Sequence, residues 1–349
     1  MAWTIIFAIL VFSLIIFVHE LGHFLTARMF KVKVLEFAIG MGPAIFSKTK
    51  GETKYSVRAI PIGGFCSMEG EDEKSDSDSA FSSKPWYKRL VILAAGAFMN
   101  VVLGFIICLI LLSVTSGMSK GIQTPEVASV VEGTDAANFL QVNDKILKVG
   151  SSKINIVRDI NFAMQQNGNK PVKVTVLRNG EKLTGEITPH KVTYDDGTSS
   201  YIIGFSTKIS DVTPLRVLKE ALFETIWMGK TVFVSLGMLI SGDASMNDMS
   251  GPVGVISAMN ESSKAVGGGF LGFLNLMFLA SFISVNIGIM NLLPIPALDG
   301  GRIFFALIEG IIRKPIPPEK EGVVHFIGLI LLMGLMVFAT WNDILRLFR

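Results

Sequence analysis

The sequence predicts an α-helical polytopic membrane protein with a small mixed α/β domain inserted between two of its spans. Three observations carry that expectation. Half of the 349 residues are hydrophobic and only 17% are charged, a balance unlike that of a soluble domain. Several apolar runs reach the ~20 residues that a helix needs to cross a bilayer. Between Ile122 and Ile209 the apolar character falls and turn residues accumulate, leaving room for one small soluble unit. The net charge of +3 is too small to point to nucleic acid. Cys66 and Cys108 supply neither a disulfide framework nor a paired-cysteine metal site.

The first span, Ala2 to about Met29 within a 1–30 segment, holds the most informative stretch, Leu14 to Phe24 (LIIFVHELGHF). MAWTII lacks the basic start of a secretory signal peptide, so this segment is retained. Positions i and i+4 share a helix face, so His19 and His23 can grip one zinc ion, while Glu20, one step round, can take a proton from an attacking water. A bare HExxH match on a soluble helix is often plain surface. Inside a span, ionisable groups are costly and mark a functional site by default.

Residues 31–68 form a membrane-associated β region. Gly40 and Gly42 of FAIGMGP free the backbone for sharp turns. Ala44–Ser47 and Lys54–Ile60 are strand-like around Lys50-Gly51, with Tyr55, Val57 and Ala59 alternating against Lys54, Ser56 and Arg58, and Pro61 and Gly63-Gly64 end the hairpin. Two readings stand: a plain cytoplasmic hairpin, or an edge strand that pairs with an unwound substrate. Residues 69–88 are acidic and serine-rich, a solvated cytoplasmic linker. The second span covers 89–115, with Asn100 as its strongly polar residue, placed there for helix packing or to face the site.

The inserted domain, 120–210, has short strands at Val127–Val131, Lys145–Val149, Val172–Leu177 and Lys182–Ile187, and a helix at Arg158–Gln166. Asn179-Gly180 marks a type I′ hairpin between the last two. With Val142-Asn143-Asp144 before a strand, this order resembles a bacterial PDZ domain, a peptide-binding fold. Residues 211–245 carry a polar stripe of Glu220, Glu224, Thr231 and Ser235, as an interfacial amphipathic helix does. The third span, 268–300, carries Asn286 and Asn291 and runs into PIPALDGG, where Asp299 sits at or just beyond membrane depth. The fourth span is 322–342; His325 at its start has a structural or interfacial role.

Catalytic zinc takes three protein ligands and an open position. His190 lies in the soluble domain and His325 has no paired motif, which leaves Asp299 as the candidate third ligand, against the alternative of an ordinary Asp-Gly turn. Lys31, Lys33, Lys88 and Arg89 put the first loop in the cytoplasm, and Arg302 to Lys320 put the chain after Asp299 there too, with Arg346 and Arg349 weighing against. Four spans bring His19 and Asp299 to one depth, whereas five would separate them.

HELGH, the Gly40–Pro43 turn, Tyr55–Phe65, Ser250-Gly251-Pro252-Val253-Gly254 and Asn291–Gly301 (NLLPIPALDGG) together resemble the bacterial site-2 protease family of the RseP type, across essentially the whole chain. The resemblance implies an intramembrane zinc metalloprotease of the bacterial cytoplasmic (inner) membrane. His19, His23 and Asp299 match its metal ligands and Glu20 its general base. Asn291 would hold substrate or the developing oxyanion, and the hairpin bearing Gly40, Gly42, Tyr55 and Arg58 would receive substrate as an added strand. Implied partners are the bilayer, a single-pass membrane protein already cut outside the membrane, such as an anti-sigma factor or a signal-peptide remnant, and a peptide at one extracytoplasmic PDZ domain. A zinc transporter and a catalytically silent PDZ scaffold are the rival readings; neither needs a base at Glu20.

Overall fold

The computed structural model describes residues 2–71, 75–193, 199–243, 245, 250–314 and 316–347, so parts of the linker and of the inserted domain named above lie outside it. The chain divides into two compact units, one formed by Met1–Ile107 with Met228–Arg349 and the other by Cys108–Trp227.

In the first unit, α1 (Ala2–Met29) covers the expected first span. The chain then forms β1 (Val34–Lys50) and β2 (Thr53–Met68), longer than the sequence suggests. Gly63-Gly64 does not end the hairpin. Residues 34–39 of β1 lie between two runs of β2: pairs such as Ile39–Gly64 and Phe37–Cys66 on one side, Phe37–Tyr55 and Ile39–Val57 on the other. Positive φ angles of +86° at Gly40 and +83° at Gly42 let β1 bend so that its far end, Ala44–Lys50, pairs with Thr53–Arg58 alone, giving a folded sheet rather than a flat two-stranded ribbon. Every residue from Met41 to Lys50 is exposed, including Ile45 and Phe46.

The linker is not wholly solvated. Ala80 and Phe81 are buried, and Phe81 joins Phe24, Val34, Phe37, Met68 and Ile92 in one cluster. The Lys33 N–H donates to Ser79 O and the Phe81 N–H to Glu69 O. One Ala-Phe pair among serines suffices to tie the segment down.

The unit also holds α2 (Trp86–Ser119) as far as Ile107, α4 (Pro214–Ser241) from Met228 onward, α5 (Pro252–Ala265), α6 (Gly269–Asn291), α7 (Asp299–Ile312) and α8 (Pro318–Leu347). Within the segment expected as the third span, helix ends at Asn291, before the prolines expected to break it. Pro294 and Pro296 cannot donate to a helix and push their predecessors toward extended backbone, so helix resumes at Asp299. The SGPVG motif starts α5: Pro252 occupies the first turn, and Asp343 of α8 accepts the Gly254 N–H at 2.7 Å. Among the described residues five helices, α1, α2, α4, α6 and α8, are long and apolar enough to cross a membrane, and the chain is a multi-pass membrane protein.

In the second unit, β3 (Ile122–Val130), β4 (Lys145–Val149), β6 (Val172–Arg178), β7 (Glu181–Ile187) and β10 (Phe205–Ser210) form a sheet in the order β10-β3-β4-β6-β7. The short β5 (Ser152–Lys153) pairs with β4, and β8 (His190–Thr193) pairs with β9 (Ser199–Ile202). The helix α3 (Val157–Asn167) contributes Ile160, Ala163 and Met164 to a core with Val127, Ile146, Val149, Val174 and Val176. Asp159 Oδ2 accepts the N–H groups of Asn155 and Ile156 at 2.8 and 3.2 Å, which caps α3. Asn179 and Gly180 both have positive φ, as a type I′ turn demands.

Candidate metal centre

His19 and His23 project from one face of α1 toward the first residue of α7. His19 Nε2 lies 3.0 Å and His23 Nε2 3.4 Å from Asp299 Oδ2, and the two imidazole nitrogens are 3.2 Å apart. With metal–ligand bonds of about 2.0–2.1 Å, a tetrahedral zinc site has ligand–ligand edges of about 3.3–3.4 Å. The three atoms thus already stand at the spacing of a zinc-binding face. Asp299 Oδ2 is buried and, outside the imidazole contacts, takes no hydrogen bond among the described residues. These donors fit a zinc ion, and His19, His23 and Asp299 form the group of His, Cys, Asp and Glu side chains suited to hold a metal among the described residues.

The far nitrogens are held as well. His23 Nδ1 is 2.9 Å from the Ile92 carbonyl, which accepts its proton and leaves the Nε2 lone pair facing the site. His19 Nδ1 lies 3.3 Å from the amide of Asn100, a fully buried residue of α2. An amide offers oxygen as well as nitrogen, so Asn100 can serve the Nδ1–H tautomer that frees His19 Nε2 for a metal. The backbone carbonyl of residue 100 accepts Ser284 Oγ–H at 2.8 Å, so the Asn100 side chain itself faces the site, the second of the two expectations for it.

Glu20 faces the sheet rather than lipid. A Cβ on Gly64 of β2 would stand 3.6 Å from Glu20 Cγ. Gly96 of α2 is a residue that sequence reasoning missed. A Cβ there would come within 2.4 Å of His23 Nε2 and 2.8 Å of His19 Cε1.

The other candidates sit differently. Arg58 is committed within the sheet, donating to Gly42 O at 2.8 Å and Glu36 Oε1 at 2.7 Å. Tyr55 stacks edgewise on Phe24, with ring centroids 6.0 Å apart. A Cβ on Gly40 would meet Ile60 O at 2.5 Å, so this glycine permits the bend itself. Asn291 is the half-buried last residue of α6. His325, given a structural role from the sequence, accepts the Ala297 N–H at Nδ1, 3.0 Å away.

The sequence pattern of peptidase family M50 matches residues 7–335. The chain belongs to peptidase family M50. As an M50 peptidase it is similar over nearly its full length to a Clostridium acetobutylicum protein carrying the provisional name of a zinc metalloprotease, 39% identical over 98% of this chain and 97% of the relative. It is similar also to the zinc metalloprotease RasP of Bacillus licheniformis, 32% identical, and to the regulator of sigma-W protease RasP of Bacillus subtilis, 31% identical, each over 99% of both chains. A solved PDZ domain of a Listeria monocytogenes SdrC-like protein aligns with 25% of this chain at 17% identity and a TM-score of 0.21, too slight a likeness to carry an argument. Membership of a peptidase family sets aside the transporter and scaffold readings.

Proposed function

We propose that this M50 member is an intramembrane zinc metalloprotease in which His19, His23 and Asp299 hold the metal and Glu20 is the general base. The observation that carries the reading is the convergence of these three ligand atoms at 3.0–3.4 Å, with Glu20 next to His19 in α1. When bound, zinc supplies the Lewis acidity that polarises a peptide carbonyl and acidifies water. Glu20 takes the proton of the attacking water and returns it to the leaving amine, so that the scissile C–N bond breaks and a carboxylate and an amine result. Ile92 and Asn100 keep both imidazoles aimed inward throughout.

A helical substrate must unwind before attack, since its carbonyls are hydrogen-bonded. The sheet of β1 and β2 offers a partner for the unwound stretch: its 44–50 edge is exposed and carries Ile45 and Phe46, which suit lipid. In this reading Gly40, Gly42, Tyr55 and Arg58 act by shaping that sheet, and Asn291 helps hold the substrate or oxyanion. The substrate is a single-pass membrane protein shortened beforehand outside the membrane, an anti-sigma factor or a signal-peptide remnant. The relative named as a regulator of sigma-W supports the former.

We place the chain in the bacterial inner membrane with four spans, α4 lying at the surface and the inserted domain outside as a PDZ module that admits or binds the trimmed end. The 3.0 Å contact between His19 and Asp299 supports that count. It needs α1 and α6 to run in the same direction, which an α4 that also crossed would prevent.

The test is reconstitution with a single-span reporter substrate. Glu20→Gln should lower the cleavage rate by about 100-fold or more while the protein keeps its zinc. Equal cleavage by both forms would remove the base assignment, and wild type without bound zinc would remove the metal site.

A further inference from the structure

We propose that His325 is a positioning residue for the metal centre: its Nδ1 holds the backbone at Ala297 in the turn that aims Asp299 at His19 and His23. The proposal rests on the zinc site of the preceding section and concerns what keeps the third ligand in place.

The 292–298 stretch joins α6 to α7 without helix, and prolines at 294 and 296 take two backbone donors out of it. Within the stretch, the Ile295 N–H reaches Leu293 O at 2.6 Å and the Leu298 N–H reaches Ile295 O at 3.2 Å. Ala297 behaves otherwise. It has φ +75°, a left-handed conformation that an L side chain rarely adopts, and its N–H leaves the loop to meet His325 Nδ1 of α8 at 3.0 Å. Such a conformation persists only where the surroundings impose it.

Those surroundings belong to α8 and α7. A Cβ on Gly328, one helical turn beyond His325, would come within 2.4 Å of Pro296 Cβ, so α8 lies directly against the loop. A Cβ on Gly301 would stand 3.0 Å from His325 Cε1, so the ring also abuts the first turn of α7. Because the Ala297 N–H donates to Nδ1, the proton of the neutral ring belongs on Nε2, 3.8 Å from Glu321 Oε1. Ala297 and Gly301 flank Asp299, and both meet the same imidazole. His325 acts through the ligand it steadies.

The experiment compares zinc affinity, by competition with a chromophoric chelator, and the absorption spectrum of the Co2+-loaded protein, in wild type and in His325→Ala, His325→Gln and His325→Asn. An Asn side-chain oxygen falls where Nδ1 stood and can accept the Ala297 N–H; a Gln oxygen falls near Nε2 and cannot. His325→Ala and His325→Gln should bind zinc about 10–100-fold more weakly with altered cobalt spectra, and His325→Asn should recover most of both. Wild-type affinity in all three, or an Asn variant as weak as Gln, overturns the proposal. If His325→Ala fails to fold, the Asn and Gln pair decides alone. A wild type that binds no zinc would instead sink the metal site itself.

Discussion

Two glycines set how closely α1 and α2 approach at the site. A Cβ on Gly22, inside HELGH, would fall 2.4 Å from the Ala95 carbonyl oxygen, and one on Gly96 would fall equally near His23 Nε2. Helices in a bilayer associate through such small residues. A methyl at position 96 has nowhere to go except into the space between the two imidazoles. Gly96→Ala should therefore release zinc at concentrations that saturate wild type and cut proteolysis by about 100-fold or more, while helix content by circular dichroism stays unchanged. Retained zinc and activity would show that the ligands can retreat. The histidines were legible because their spacing is local and their chemistry out of place in an apolar run. Gly96 was not, since its importance is a contact across two helices and its own neighbourhood reads as ordinary span.

At the scale of elements, the inserted domain holds a buried ion pair between β6 and the turn before β4. Asp144 is buried, and Arg178 grips both its oxygens, Nε to Oδ1 at 2.7 Å and Nη2 to Oδ2 at 2.6 Å. Burial alone would raise the Asp144 pKa. Arg178 and the Gln141 N–H outweigh it and hold the carboxyl below its ordinary range. The stabilisation is thus present above about pH 4 and is lost as pH falls through the lowered folded-state value. Arg178→Ala should cost the domain about 3–5 kcal/mol by leaving a buried carboxylate unpaired, and hydrogen exchange of β4 and β6 amides should accelerate in step; unaltered exchange would deny the pair this role. Strands β4, β6 and β7 and the Asn179-Gly180 turn follow from local alternation and turn chemistry, and they lie close to where the sequence put them. The helices α5 and α7 do not. Gly300-Gly301 and Arg302 disguise the start of α7 as loop, and α5 takes its N-terminal partner, Asp343, from the far end of the chain. The double use of residues 34–39 in the sheet was equally hidden, because it depends on the bends at Gly40 and Gly42.

For the whole molecule the open count is four crossings or five. Hydropathy and length admit α4 as a fifth. Its polar stripe and the meeting of His19 with Asp299 favour four. Alkaline phosphatase fused at Gly150 in the inserted domain and at Gly267 before α6 should be active at both places, and a fusion at Gly51 in the hairpin should be silent. Activity at Gly150 with silence at Gly267 would make α4 a true crossing. The histidine pair rides on a single continuous rod, one turn apart, and keeps its spacing as long as that rod keeps its coil. The carboxylate instead hangs at the mouth of a separate, shorter rod, beyond an uncoiled strap. Any loosening of that strap would therefore carry the carboxylate away while the two imidazoles kept their spacing on α1.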